Sequence, residues 1–129
     1  MASIDRWWDD LTRNRAAAIL ELVLDAISDD YENVEIIRRI INQYDRDEPD
    51  LKDWKALAAV PVSRLEVVDA LRELTAEGFA QASIYDPGAK EYQAVSFRRD
   101  MASVLCFYVT EKGMQAVDRI HKRHTETAQ

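Results

Sequence analysis

The sequence predicts a mainly helical α+β domain, and changes in the spacing of its apolar residues predict that class. Up to Gly78, apolar residues recur every three or four positions, as in amphipathic helices. From Phe79 to Thr110 they fall in short runs separated by turn residues, which is typical of antiparallel strands. The helical spacing then returns. With 129 residues and only three glycines and three prolines, we expect one domain over residues 1–129.

The clearest element is a helix that follows Pro61 and ends near Gly78. Ser63 and Glu66 have the S-x-x-E spacing of a capping box, in which each side chain accepts from the other residue's amide. Gly78 suits the left-handed conformation that closes a helix, and Phe79 can then fold back on the last turn. The predicted apolar face comprises Val67, Leu71 and Leu74.

The other predicted elements surround this helix. We expect an N-terminal helix, a helical core, a β-wing and a C-terminal helix at about 4–27, 34–78, 79–110 and 111–124. The core should begin with helices over 34–44 and 51–59, and residues 28–33 read as a polar turn. The wing should hold two or three antiparallel strands, near 79–85, 92–97 and 104–109, with the last one best covered. Helix, short turn, capped helix and hairpin together form a winged helix-turn-helix.

The composition favours a cytoplasmic protein without a membrane segment. Hydrophobic residues make up 47% and charged residues 32% of the chain, which is ordinary for a globular protein. The longest uncharged apolar run is too short to cross a bilayer, and acids occupy the place where a secretion signal would be apolar. The single cysteine, Cys106, cannot form a disulfide within the chain and suits a reducing compartment.

The net charge of −7 is unevenly distributed. Residues 1–53 hold 14 acidic and 7 basic residues, whereas residues 54–129 hold 10 of each. This acidity counts against nucleic-acid binding, which usually needs a basic surface. Screening over about 8 Å nevertheless allows a local basic patch to act beside a distant acidic surface.

Two short motifs resemble winged-helix transcriptional regulators of the MarR and PadR kind. LRELTAEGF, residues 71–79, is similar to the end of their recognition helix, and FYVTEKG, residues 107–113, is similar to their strand-to-helix segment after the wing. The resemblance extends over about residues 34–113. It implies DNA binding by a dimer whose long terminal helices mediate dimerisation. The chain departs from the family pattern because this helix offers two basic against four acidic residues, a local balance of −2; these residues are Arg64, Arg72, Glu66, Asp69, Glu73 and Glu77. Glu66 and Asp69 fall where base or phosphate contacts are expected.

The candidates for DNA binding are basic residues near the capped helix and the wing. Arg64 lies in the first turn of that helix, and Lys55 precedes it. Lys90, Arg98 and Arg99 flank the wing strands, where phosphate and minor-groove contacts are commonly made. The alternative is that these residues form an ordinary solvated surface.

A homodimer is expected because the first helix is long and carries adjacent tryptophans. A helix over 4–27 would measure about 36 Å, more than a small winged-helix core needs. Trp7 and Trp8 point to different sides of it, and aromatic residues are enriched in interface cores. We therefore place Trp7, Trp8 and Leu11 at a dimer interface. Alternatively, Trp7 covers a neighbouring helix of its own chain.

No residue pattern predicts an enzyme, a cofactor or a metal site. The acidic run DRDEPD, residues 45–50, lacks the glycine and the distant bidentate acid of a calcium loop. His121 and His124 have no third ligand nearby in sequence. Ser63 is explained as a cap, and Cys106 lies in an apolar strand without the positive surroundings that activate a thiol.

Two hypotheses of different classes follow. In the first, the chain is a dimeric DNA-binding transcriptional regulator. In the second, it is an acidic winged-helix module that binds a protein partner through its acidic N-terminal half and tryptophans, without binding DNA. The resemblance favours the first hypothesis, and the net charge favours the second.

Overall fold

The structure of the protein, a computed structural model, describes residues 15–47 and 61–127. These residues form an α+β fold that is mainly helical, as predicted. In chain order the elements are α1 Arg15–Ala26, β1 Glu32–Asn33, α2 Val34–Asp47, α3 Arg64–Ala76, β2 Ala80–Asp86, β3 Glu91–Val95, a 3₁₀-helix Arg99–Met101, β4 Cys106–Val109 and α4 Glu111–Thr127. No helix within these ranges is long and apolar enough to cross a membrane.

The strands form one antiparallel sheet in the order β1-β4-β2-β3. Strand β4 lies between β1 and β2 in the sheet, as predicted for the segment 104–109. Residues 104 and 105 of that segment are not part of the strand. The prediction of two or three strands is wrong, because β1 lies in the segment predicted as a turn and pairs with β4 through Glu32 and Phe107. A strand of two residues has no alternating pattern by which the sequence could indicate it.

Helix α1 is the central helix of the described part. Nine of its 12 residues are buried, including the carboxylate-bearing Glu21. It contacts α2, α3 and α4, and a helix that is apolar nearly all round is expected in the interior. The predicted N-terminal helix is thus confirmed from Arg15 to Ala26. Its earlier part, with Trp7, Trp8 and Leu11, lies outside the described residues, as do the predicted helix 51–59 and Lys55.

Both predicted ends of α3 are confirmed. The Glu66 amide donates to Ser63 Oγ at 3.2 Å, and the Ser63 amide donates to Glu66 Oε1 at 3.0 Å, which completes the capping box. At the other end Gly78 has φ of +82°. The Gly78 amide donates to the Thr75 carbonyl, and the Phe79 amide donates to the Leu74 carbonyl at 2.9 Å. This pair of bonds is a Schellman motif.

The end of α3 is joined directly to the start of α4. Thr110 caps α4 by accepting from the Gly113 amide at 3.1 Å, and its hydroxyl donates to the Gly78 carbonyl at 2.6 Å. The Thr110 amide donates to the Phe79 carbonyl at 3.1 Å. Lys112 donates to the Glu77 carbonyl and lies 4.5 Å from the centre of the Phe79 ring. The two motifs that resemble the regulators therefore contact each other.

Gly113 lies so close to Phe79 and Val109 that a side chain has no room at this position. A Cβ atom at Gly113 would lie 2.1 Å from the Phe79 carbonyl oxygen and 2.5 Å from Val109 Cγ2. Because real Cβ contacts are not that short, only glycine fits here without moving the backbone. Helix α4 continues to Thr127, past the predicted end at residue 124.

Candidate recognition surface

The exposed side of α3, here named its outer side, is the first candidate surface. The buried residues of α3 include Val67, Leu71 and Leu74, as predicted. On the opposite side, Leu65 is 59% exposed and Arg72 is also exposed. The residues that share this outer side at helical spacing are Leu65, Asp69, Arg72 and Ala76. Helix α3 is therefore open on one side among the described residues.

Glu66, which departs from the family pattern, is held by Arg15. The Arg15 guanidinium donates to both carboxylate oxygens of Glu66, at 2.7 and 3.1 Å, and to the Pro61 carbonyl at 3.2 Å. The hydrogen bond from Arg15 lowers the pKa of Glu66 to about 2, with further contributions from Ser63 and against the effect of partial burial. Glu66 is therefore ionised at neutral pH and its charge is matched.

Asp69, the second departure, is also matched by an arginine. Arg99 forms an ion pair with Asp69, which brings the segment before β4 onto the outer side of α3. Arg98 pairs with Asp100 at 3.0 Å. These side chains are half or more exposed, and exposed ion pairs contribute only about 0–1 kcal/mol to stability. Arg98 and Arg99 can therefore exchange these carboxylates for another anion at little cost.

The other two predicted cations among the described residues, Arg64 and Lys90, lie in different parts of the fold. Arg64 lies 3.8 Å from Glu35 of α2, a loose pair at the N-terminal end of α3. Lys90 is exposed at the tip of the β2–β3 hairpin, with φ of +56°. Arg72, which was not among the predicted site residues, has no carboxylate within ion-pair distance in the described part of the chain. Its position opposite Val67 and Leu74 was the signal that could have identified it.

An open groove of about 630 Å³ separates α3 from the β2–β3 hairpin. Its walls are mostly small or apolar, with Arg72 at one side and Phe97 at the other. The Gln81 side chain donates from Nε2 to the Val95 carbonyl at 3.0 Å. The lining residues are Arg72, Thr75 and Ala76 of α3, Ala80, Gln81 and Ala82 of β2, and Ala94, Val95, Ser96 and Phe97.

A second surface lies on the outer side of the sheet and consists of Tyr31, Tyr85, Tyr92 and Tyr108, here named the tyrosine face. Tyr31 stacks on Tyr92 with ring centres 3.9 Å apart and planes 7° apart. Tyr85 meets Tyr92 edge-on at 5.1 Å, and Tyr108 meets Tyr31 at 4.7 Å. Sequence reasoning missed this cluster because it depends on strand β1 and on the register between strands.

Ser63, Cys106 and His121, which the sequence did not favour as catalytic or metal-binding residues, each have neighbours that suit a structural role. Ser63 caps α3, and burial, with a smaller effect of Glu32, raises the pKa of the Cys106 thiol. A raised pKa disfavours the reactive thiolate. His121 lies 2.5 Å from Asp25 of α1. Within residues 15–47 and 61–127, no group of three or more His, Cys, Asp or Glu side chains is arranged to hold a metal ion.

The described part of the chain has two exposed surfaces whose geometry and charge suit the binding of a partner. The first is the outer side of α3, with arginines from α1, α3 and the segment before β4 around it. The second is the tyrosine face. Comparisons of the chain with protein-family models, with curated proteins and with solved structures find no match.

Proposed function

We propose that this chain is a winged-helix DNA-binding protein, a transcriptional regulator that acts as a dimer. The observation that carries the proposal is the outer side of α3, where Arg72 is exposed without an ion pair in the described part and Arg99 holds only an exposed, weak ion pair with Asp69. A helix open on one side, with an antiparallel hairpin beside it, fits the groove recognition of winged-helix proteins. The β2–β3 hairpin would serve as the wing.

The chemistry of this side suits a DNA groove. Arg72 can donate two parallel hydrogen bonds to guanine, and Leu65 can contact the methyl group of thymine. Arg98 and Arg99 lie where they can bind phosphates, since their present ion pairs are exposed and weak. Arg64, at the start of α3, would contact the adjacent phosphate.

The balanced charge around α3 sets the expected strength of binding. Because carboxylates remain near the arginines, we expect the neutralisation of only about two or three phosphates, and a plot of log K against log salt with a slope of about −1.8 to −2.7. Affinity should then fall about 12- to 40-fold between about 50 mM and about 200 mM salt.

The test is a titration of the full chain into fluorescently labelled, mixed genomic DNA fragments at these two salt concentrations. The double variant Arg98→Glu/Arg99→Glu should lose at least about tenfold in affinity, because it removes phosphate partners. The matched control is Arg119→Glu/Lys122→Glu, which changes the net charge equally but on exposed positions of α4. Absence of binding at the lower salt, or equal losses in both variants, would contradict the proposal.

A second candidate function is an acidic winged-helix module that binds a protein partner without binding DNA. The observation in its favour is that Arg64, Arg98 and Arg99 each already face a carboxylate, so the outer side of α3 has no excess of positive charge. The same titration separates the two candidates. A chain that binds no DNA at about 50 mM salt supports the protein-binding module.

A further inference from the structure

We propose that the tyrosine face binds an extended, arginine-bearing segment of a partner protein. This surface goes beyond the proposed function, since it lies on the outer side of the sheet and shares no residue with the groove beside α3. The occupant is inferred from two properties of the surface: the exposed tyrosines and the acidic residues beside them.

The rings form a continuous, exposed aromatic surface. Tyr85 and Tyr92 are directly opposite each other on β2 and β3, and Tyr31 reaches from the turn before β1 to stack on Tyr92. Tyr31, Tyr85 and Tyr92 are 36%, 45% and 39% exposed. Tyr85, Tyr92 and Tyr108 lie on strands, and Tyr31 is stacked on Tyr92. Because the rings are ordered before a ligand binds, the entropy cost of binding is small.

Carboxylates concentrate at the Tyr31 end of the surface. The residues from Asp29 to Glu32 include three acids and no base. The Asp30 carboxylate accepts from the Tyr31 amide at 2.7 Å. Burial, followed by the charges of Asp30 and Asp29, raises the pKa of Glu32. The negative charge therefore lies at the end of the surface that Tyr31 occupies.

Arginine is the side chain that uses both properties. Its planar guanidinium stacks on tyrosine faces and binds carboxylates with two parallel hydrogen bonds. A proline-rich segment would use the rings and leave the carboxylates unused. A nucleic-acid strand could stack its bases on the rings, but its phosphates would be repelled by Asp29, Asp30 and Glu32.

The test uses labelled heptapeptides in which arginine, lysine or glutamate alternates with glycine, titrated with the full chain by fluorescence anisotropy. The arginine peptide should bind best, the lysine peptide about threefold more weakly, and the glutamate peptide not at all. A labelled thymidine octamer serves as the nucleic-acid probe. Tighter binding of that octamer than of the arginine peptide would overturn the proposal.

Variants then assign the binding to this surface. Tyr92→Leu keeps apolar bulk but removes the ring, and should weaken arginine-peptide binding about three- to tenfold, whereas Tyr92→Phe should stay within about twofold. Asp30→Asn keeps an oxygen for the Tyr31 amide and should weaken binding about threefold. Asp118→Asn, an exposed position on α4, makes the same charge change and should have no effect.

Unchanged affinity in Tyr92→Leu, or equal effects of Asp30→Asn and Asp118→Asn, would overturn the proposal. Thermal unfolding of each variant checks that it is folded, and Tyr92→Phe and Asp30→Asn keep the test valid should Tyr92→Leu not fold. The Arg98→Glu/Arg99→Glu variant should bind the arginine peptide like the wild-type chain, so this result is independent of DNA binding.

Discussion

At the scale of single residues, Glu66 shows how a charge that looks unsuitable for its helix has a structural role. It completes the capping box with Ser63 and accepts two hydrogen bonds from Arg15. It therefore links the first turn of α3 to the start of α1. The sequence predicted the cap because its spacing is local, but not the ion pair, because Arg15 is 51 positions away.

We predict that Glu66→Gln lowers the free energy of unfolding by about 1 kcal/mol at neutral pH, after allowance for solvent screening of a side chain that is one third exposed. The pKa of Glu66 is about 2 in the folded protein and ordinarily about 4.5. Because the folded-state pKa is the lower one, the carboxylate stabilises the fold above about pH 4.5, and this effect is lost as the pH falls towards 2.

Urea unfolding at about pH 7 and about pH 2.5 measures this effect. The difference in stability between the wild-type chain and Glu66→Gln should be clear at about pH 7 and reduced to about a quarter at about pH 2.5, which is still just above the folded-state pKa of about 2. Glu73→Gln, on the same helix, is the matched control and should differ little from the wild-type chain at either pH. A pH-independent effect of Glu66→Gln would show that the ion pair contributes nothing.

At the scale of the elements, the α3–α4 junction explains why the two regulator-like motifs are present. Gly78 and Phe79 close α3, while Thr110 and Gly113 begin α4, and the four residues meet through backbone contacts. Each of these residues is accounted for by packing or capping. At these four positions the motifs therefore reflect the way the two helices are joined.

We predict that Gly113→Ala destabilises the protein by about 2–4 kcal/mol, because the new methyl group would overlap the Phe79 carbonyl and force the helix away from it. The control is Gly88→Ala in the β2–β3 turn, where the nearest atom to a Cβ would be Asp86 Oδ1 at 3.3 Å. That variant should change stability by less than about 1 kcal/mol. Chemical unfolding of the three proteins decides, and equal effects would contradict the packing argument.

Local chemistry decided which elements were predictable. Both caps of α3, the hairpin around Gly88 and the start of α4 at Thr110 depend on neighbouring residues, and they were predicted. Strand β1 depends on a partner strand more than 70 positions away, so a two-residue segment gave no signal. The strand predicted over 92–97 occupies Glu91–Val95, because the chain then turns into the 3₁₀-helix.

At the scale of the whole molecule, the candidate site was predictable as a region and not as a set of contacts. Of the predicted site residues, Arg64 lies on α3 and Arg99 contacts it through Asp69, in line with the elements that the sequence predicted. Their carboxylate partners depend on how elements pack, and so does the tyrosine face. Arg72 was left out although helical spacing alone places it on the outer side of α3.

The expected homodimer is a prediction about the whole molecule. It follows from the long predicted first helix with its adjacent tryptophans, and from the family resemblance. We expect a homodimer with a mass twice the 14.8 kDa of the chain in light scattering at micromolar concentration. The double variant Trp7→Ser/Trp8→Ser should shift the chain to the monomer, because aromatic residues would leave the interface core. A single species of monomer mass for the wild-type chain would refute the dimer.

The burial of α1 has a consequence for what counts as the working unit of this protein. The portion with the regulator-like resemblance, residues 34–113, does not contain α1, yet that helix supplies the apolar partner for α2 and α3. A fragment cut at those limits would present bare hydrophobic surface to water. Any transplant of α3 into another scaffold must therefore carry this inner helix with it, or provide a substitute.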